Sequence, residues 1–371
     1  MGGLILKQLD EKNLRKFIMY PFTLYKDDPF WVAPLITDMK SRLNPKKNPF
    51  LHTPHTYFMA ERGGRPVARV LAGIHGPKTR KQGVNVGYFS LFEAADEEAG
   101  LFILQAAEDY CRSLGCVQLF GPEAPTGGED DRAMLVEGFD APPKLYHTYN
   151  PEWYPGVMAK FGLVKEHDIY SFLITQETVE IERFRRAVEY AQKRYHFKAY
   201  RFDLSKFKDE LKDIQVILQK SVPENWDEVP PWEQIESEAE MFRQVADPDF
   251  VYITRSDAGE PLAFVIALPD YNQVFHKMHG RLLPFGIFKF LYWRKKINGI
   301  RIIMQFCVPE YQAKGAVSAG YLGIMENCFK KGMWYGDAGT IGDDNPQSYL
   351  AVEGAGGKRY RTFRWYIKDI K

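Results

Sequence analysis

The chain has 371 residues, 45% of them hydrophobic and 26% charged, with a formal net charge of +1. That length leaves room for two domains, and the composition is that of an ordinary soluble globular protein with a sizeable core. The near-neutral balance argues against a nucleic-acid partner, and four cysteines (Cys111, Cys116, Cys307, Cys328) fit neither a zinc pattern nor a secreted disulfide framework.

Taken in chain order, the start MGGLILKQLDEKNLRK has no charged-then-apolar signal segment, and Leu6 stands where an acylation motif based on Gly2 would need Ser or Thr. Strands are expected over 4–9, 57–61, 66–74 and 84–92, with a longer segment over 13–43 between the first two. A helix follows over 99–114, a strand over 117–120, a Pro/Gly-rich insert over 121–149, a helix near 154–160 and a strand over 166–174. A charged amphipathic stretch over 175–195 joins this half to the next. There, 197–203 reads as a strand, and 204–221 and 232–245 as helices with apolar positions at helical spacing. Asp257-Ala258-Gly259-Glu260 separates two β-rich runs, a hairpin signal. An apolar strand over 300–308, a helix over 315–331, a strand over 333–341, a short helix over 346–353 and an alternating strand over 358–368 complete the chain. The most apolar window, 282–293, is broken by Pro284, Gly286 and Lys289 and is too short to cross a bilayer. Its aromatic run over 285–293 either covers the core or lines a groove for an acyl chain or apolar acceptor. A cytoplasmic protein with no membrane or nucleic-acid partner is expected, and no metal site, since His52 and His55 have no acid near them in sequence.

The halves repeat. Gly64-Arg65-Pro66-Val67-Ala68-Arg69-Val70 matches Gly259-Glu260-Pro261-Leu262-Ala263-Phe264-Val265, and Asn150-Pro151-x-x-Tyr154 matches Asn345-Pro346-x-x-Tyr349 at the same offset. Between these anchors the register shifts, so the second copy carries an insert around 277–300, and the first compensates with its 121–149 stretch. This predicts an α/β (α+β) chain with a first domain over 1–175, a connecting helix over 176–196 and a second domain over 197–371.

One stretch carries chemistry: Val308-Pro309-Glu310-Tyr311-Gln312-Ala313-Lys314-Gly315-Ala316-Val317. A buried strand ends, a short loop holding Lys and Gly follows, and a helix begins. Free backbone N–H groups at such a helix start bind anions, and glycine allows close approach. This strand-loop-helix resembles that of the GNAT superfamily of acyl-CoA N-acyltransferases, V-x-P-x-[YF]-[RQ]-x-x-G-x-[GA], and the element order of each half is similar to that family's. Gly138-Phe139-Asp140-Ala141-Pro142-Pro143 narrows the resemblance to tandem GNAT-like bacterial proteins. It implies two tandem GNAT-like domains, each a mixed, mostly antiparallel twisted sheet flanked by helices.

The resemblance further implies coenzyme A or acetyl-CoA as cosubstrate, its pyrophosphate held by Val308, Gln312, Ala313, Lys314, Gly315, Ala316 and Val317, with Asn345 opening the late helix nearby. A small-molecule amine or acyl substrate would then react beside the splayed fourth and fifth strands. Val317 stands where the motif has Gly or Ala, and Val352 where the family's thiolate-protonating Tyr usually lies, which leaves Tyr349, one turn earlier, as the substitute. Asp337 interrupts an apolar strand and is the other catalytic candidate, to orient or deprotonate an amine. Asp343-Asp344-Asn345 also reads as a loop ending in a helix N-cap, and Glu310 as a solvated loop carboxylate. The first copy's loop, Glu93-Ala94-Ala95-Asp96-Glu97-Glu98, holds four carboxylates and is expected to repel a diphosphate. An N-acyltransferase centred on the second copy is the first functional reading. A ligand-binding or regulatory protein that retained the fold is the second, and aminoacyl or peptidyl transfer, which asks for a basic face, is the third. The oligomeric state is not legible.

Overall fold

The computed structural model describes residues 3–11, 14–128, 131–221, 232–243 and 246–370. Gly2, Glu129 and Asp130 of the 121–149 insert, and the last two residues of the helix expected over 232–245, lie outside them.

The first copy runs β1 (Leu4–Leu9), α1 (Arg15–Leu24), α2 (Ile36–Arg42), β2 (His55–Arg62), β3 (Arg65–Ile74), α3 (Gly76–Gln82), β4 (Val86–Ala94), α4 (Glu97–Ser113), β5 (Gln118–Gly121), β6 (Met134–Glu137), α5 (Tyr154–Lys160) and β7 (Val164–Thr175). The second runs α6 (Ile181–Tyr195), β8 (Phe197–Arg201), α7 (Phe207–Ser221), α8 (Trp232–Arg243), β9 (Val251–Ser256), β10 (Pro261–Pro269), α9 (Asn272–Met278), α10 (Gly286–Trp293), β11 (Gly299–Cys307), α11 (Ala316–Lys330), β12 (Tyr335–Gly342), α12 (Pro346–Gly354) and β13 (Lys358–Asp369). The expected order holds throughout. Four short elements, α3, β6, α9 and α10, lie where no periodic signal was read.

The chain forms two compact units, and neither is a single stretch. The first comprises Met1–Asp168, Asn272–Lys295 and Arg361–Lys371, and the second Ile169–Tyr271 and Lys296–Tyr360. The division falls within β7 and β13, not at the predicted 176–196 connector. In the first unit, β2, β3 and β4 pair antiparallel in sequence, and β4 and β5 run parallel. Beside β5 lies β13, antiparallel, with Tyr366 opposite Gly121. In the second unit, β8, β9, β10 and β11 pair antiparallel in sequence, β12 runs parallel to β11, and β7 closes the far side, with Tyr335 opposite Thr175. Each copy's last strand thus completes the other unit's sheet, which no local pattern in either strand reveals.

The amphipathic helices bury the stripes that the 3.6-residue period marks. Ile103, Leu104, Ala107 and Cys111 of α4 pack on β2–β4, and Leu211, Ile214, Ile217 and Leu218 of α7 pack beside Phe264 and Val251. Helix α11 buries Tyr321, Ile324, Met325 and Cys328 against Ile300, Ile302 and Ala338. The insert over 277–300 forms α9 and α10, which count with the first unit. Its aromatic run does not cover the core, because Phe285 and Phe288 are exposed.

Candidate active site

The predicted loop lies in the second unit. β11 ends at Cys307, and the Val308 N–H donates to Leu262 O at 2.9 Å, which fixes where the chain leaves the sheet. A single 3-10 turn over Pro309–Tyr311 follows. Ala313 and Gly315 then take positive φ, +58° and +84°. Gly315 is the N-cap of α11, and no side chain caps that helix. The first N–H of the helix to find a backbone acceptor is that of Ala319, 3.1 Å from Gly315 O. The amides of Ala316, Val317 and Ser318 precede it and form the orphan first turn, an anion-binding arrangement. Glycine is required at 315, where a Cβ would be strained by its φ and would stand 3.1 Å from the Ala191 Cβ of α6. Thr254 Oγ1 donates to Ala316 O at 2.8 Å and steadies the turn.

The remaining loop side chains leave these amides uncovered. Val317 packs against the core with Tyr321 and Ile324, so the branched side chain in the motif's last position is turned away from the turn's amides. Gln312 is exposed, with Nε2 3.5 Å from Cys307 O. The Lys314 ammonium sits over the rings of Tyr311 and Tyr195, 5.1 and 5.6 Å from their centroids. A cation therefore stands beside the helix start with no carboxylate partner in the loop.

Strand separation lies immediately upstream. β11 and β12 pair from Gly299 opposite Tyr335 to Ile302 opposite Ala338, and no further. On its other side, β11 slips against β10 between Ile266 and Ala267, so Ile303 has no partner there. Such a bulge bends a strand and re-aims its side chains. From Ile303 to Cys307, β11 thus presents one edge that β12 does not cover. Tyr321 of α11 donates its buried hydroxyl to Gln305 Oε1 on this stretch. Burial pushes the Cys307 thiol up to about 12, so it is a neutral thiol at ordinary pH.

Asp337 is placed differently from a free base. It sits inside the paired part of the β11–β12 ladder, opposite Arg301, one position before the strands part. It is wholly buried. Oδ1 takes a 2.7 Å ion pair from Arg301, and Oδ2 accepts from Ser171 Oγ at 2.9 Å and from the Tyr360 hydroxyl at 2.6 Å. Arg301, Ser171 and Tyr360 were not anticipated. The signal available was that Arg301, like Asp337, is a lone charge in an apolar strand. Tyr349 is half-buried on α12, its ring against Phe172 and Tyr170. Asn345 caps α12, its Oδ1 accepting from Ser348 N at 3.2 Å. Val352 is fully buried.

The first copy's counterpart turn is closed by its own residues. Asp96 caps α4, accepting from Ala99 N at 2.9 Å, and pairs with Arg62 at 2.6 Å. Arg62 holds the Asp96 carboxyl below its usual range. The Tyr154 hydroxyl, the repeat partner of Tyr349, accepts from Ala94 N at 2.7 Å and donates to Ala94 O at 2.9 Å. A side-chain carboxylate stands where an anion would bind.

The face of the second unit's sheet opposite α11 holds a feature the sequence did not disclose. A cavity of about 150 Å³ lies between α7, α8 and β9–β11, bounded by Phe207, Leu211, Leu218, Ile266, Ile303 and Met304. Among the described residues its charged lining group is Arg243. The bulge at Ile303 brings two successive β11 side chains to this wall.

No family model matches the chain. It is 27% identical over 380 residues to Protein YghO of Escherichia coli, covering 99% of this chain and 96% of that protein. It is 29% identical over 375 residues to the bacterial ceramide synthase of Caulobacter vibrioides, covering 96% and 95%. Among solved structures, the tandem GNAT protein from the clavulanic acid biosynthesis pathway aligns over 100% of this chain and 99% of its own, at TM-score 0.56 and 10% identity. A GCN5-related N-acetyltransferase from Sphaerobacter thermophilus aligns over 99% and 96%, at TM-score 0.53 and 9% identity. The glucosamine N-acetyltransferase region of a fungal multi-domain GH3 beta-N-acetylglucosaminidase gives TM-score 0.59 at 11% identity over 99% of this chain, which spans 38% of that one. Likeness at these identities speaks for architecture, and the architecture is unambiguous: the chain is a tandem GNAT-fold protein.

Proposed function

We propose that the second unit is an acyl-CoA-dependent N-acyltransferase whose acceptor is an amine bearing a long apolar chain. The uncapped α11 turn carries the reading: its amides and Lys314 suit a pyrophosphate, and the edge of β11 released at Ile303 leads away from it toward the parting strands. The acceptor class rests on two supports. The relative of 29% identity is named a ceramide synthase, and a ceramide is the amide of a fatty acid with a long-chain amino alcohol. The cavity against Ile303 and Met304 is walled by aliphatic and aromatic side chains, a lining that suits an alkyl chain.

In this reading the amine lone pair forms the C–N bond at the thioester carbonyl, the C–S bond breaks, and coenzyme A leaves as a thiolate. The proton lost by the amine balances the one gained by the thiolate. Backbone N–H groups of β11 beyond Ile302 are the oxyanion donors. Tyr349 is the proposed acid for the thiolate, and Asn345 places its helix. Asp337 is assigned a positioning role, holding β11 to β12 through Arg301 just below the opening. The neutral Cys307 thiol favours direct attack over an acyl-cysteine. The closed first-copy turn is assigned no coenzyme A.

The test is thiol release from acyl-CoAs of two to sixteen carbons, with sphinganine and with short polar amines. Amide formation with sphinganine that strengthens with acyl length is expected. Release that no amine accelerates overturns the acyltransferase. Turnover confined to short polar amines overturns the long-chain acceptor. Val352 favours one further reading, a coenzyme A binder without turnover, which predicts thermal stabilisation by coenzyme A and no release.

A further inference from the structure

The first unit exposes an apolar helix that its own packing does not explain. At α10 and the turn before it, Leu283, Phe285 and Phe288 are 73%, 74% and 67% exposed, and Leu291 and Tyr292 are about half exposed. Phe288, Leu291 and Tyr292 share one helix face, and Phe285 lies one turn before them. Soluble monomers rarely show contiguous apolar surface of this kind without a partner.

The presentation is built. Val274 and Met278 of α9 are buried. Asn272 Nδ2 donates to Pro143 O and Lys144 O at 3.0 and 2.8 Å. The Ile36 N–H donates to Gly280 O at 3.0 Å, and a Cβ at Gly280 would lie 2.6 Å from the Phe22 ring. At the tip, a Cβ on Gly286 would fall 1.9 Å from Arg281 O, so the turn that displays the aromatics closes only with glycine. A fixed base thus carries an apolar tip.

Charge identifies what covers it. Between Asp270 and Glu310 there is no Asp or Glu, while Lys277, Arg281, Lys289, Arg294, Lys295 and Lys296 flank the apolar residues in sequence. In a chain of net charge +1, that is a run of one sign of charge. Exposed aromatic and aliphatic side chains in a segment whose charges are all Lys and Arg suit the headgroup boundary of an anionic bilayer, where apolar groups enter the acyl edge and cations meet lipid phosphates. We propose that α10 docks this protein on an anionic membrane surface, lying in the interface. No helix among the described residues is long enough and apolar enough to cross a membrane. The sequence excluded membranes on that ground, but surface docking does not need such a length. The proposal stands apart from the acyltransferase reading, since it is tested without acyl-CoA.

The full chain is sedimented with sucrose-loaded vesicles of pure phosphatidylcholine and of phosphatidylcholine with an equal part of phosphatidylglycerol. Binding to the anionic vesicles alone, weakened by 0.5 M salt, is expected. Each cation at an anionic surface is worth about fivefold in affinity. Arg294→Gln/Lys295→Gln/Lys296→Gln should therefore lower binding on the order of a hundredfold with an unchanged melting temperature. Phe288→Asp/Leu291→Asp should lower it by at least about tenfold. Should the aspartate variant unfold, the glutamine variant decides alone. No binding, equal binding to both vesicles, or full binding by the glutamine variant overturns the proposal. So does a lipid-free dimer of the wild type that Phe288→Asp/Leu291→Asp dissolves, because a second copy then covers the face.

Discussion

Replacing Asp337 separates two meanings of a buried carboxylate. If it were a free base, Asp337→Ala would leave the fold intact and remove turnover. Its surroundings predict the reverse order of damage. Removing it strands the Arg301 guanidinium, which is 2% exposed and whose Nε already has no hydrogen-bond partner among the described residues. The Ser171 and Tyr360 hydroxyls lose their shared acceptor in the same step. Breaking a buried ion pair on one side costs about 3–5 kcal/mol. For a unit of this size that lowers the melting temperature by roughly 6–20 °C. Taking both charges away together, as Arg301→Met/Asp337→Leu, leaves no uncompensated ion and should recover most of the loss. Urea unfolding of the wild type, both single variants and the double variant gives the coupling energy directly. A coupling of several kcal/mol is expected, with the double variant more stable than either single one. The reasoning is refuted if Asp337→Ala unfolds with wild-type stability while thiol release drops by two orders of magnitude or more.

Two further outcomes follow from other parts of the chain. Coenzyme A at a hundred times its dissociation constant should stabilise the wild type by about 2.7 kcal/mol, and Gly315→Val should lose that gain in a thermal-shift series; an undiminished shift would place the ligand elsewhere. In the first unit, burial pushes the Glu93 carboxyl up to about 7 from 4.5, while the nearby Arg69 pulls it down. An acid with a raised folded-state pKa binds its proton more tightly when folded, so stability falls as pH rises from 4.5 through 7, by up to about 3 kcal/mol. Glu93→Gln should remove that part of the slope in urea unfolding at pH 5 and pH 8, and an unchanged slope would contradict it.

What the sequence disclosed of the site was local. Strand, proline, tyrosine, glycine and helix follow one another between Val308 and Val317, and the turn forms where those residues place it. Asn345 was legible as a cap because capping is decided within a few residues. Asp337 was visible only as an anomaly in an apolar strand. Its partner lies 36 positions away across a parallel ladder, and Ser171 comes from the other copy's last strand. Neither is encoded in any window around it. The cavity below β11 was hidden for a related reason: it depends on a bulge at Ile303, a matter of register that alternation alone does not fix. The aromatic run around Phe288 was legible as apolar, but apolar content does not say which side of a surface it faces.

The way β7 and β13 are shared out bears on how such a chain can be divided. A copy excised at the repeat boundary would keep its own last strand and lose the one that completes its sheet. The first half would show an open edge along β5, the second along β12. Bare edges of this kind recruit whatever strand is at hand. The repeat boundary is therefore not a place where this chain can be cut into two working modules, because each piece would carry away the strand that closes the other's sheet.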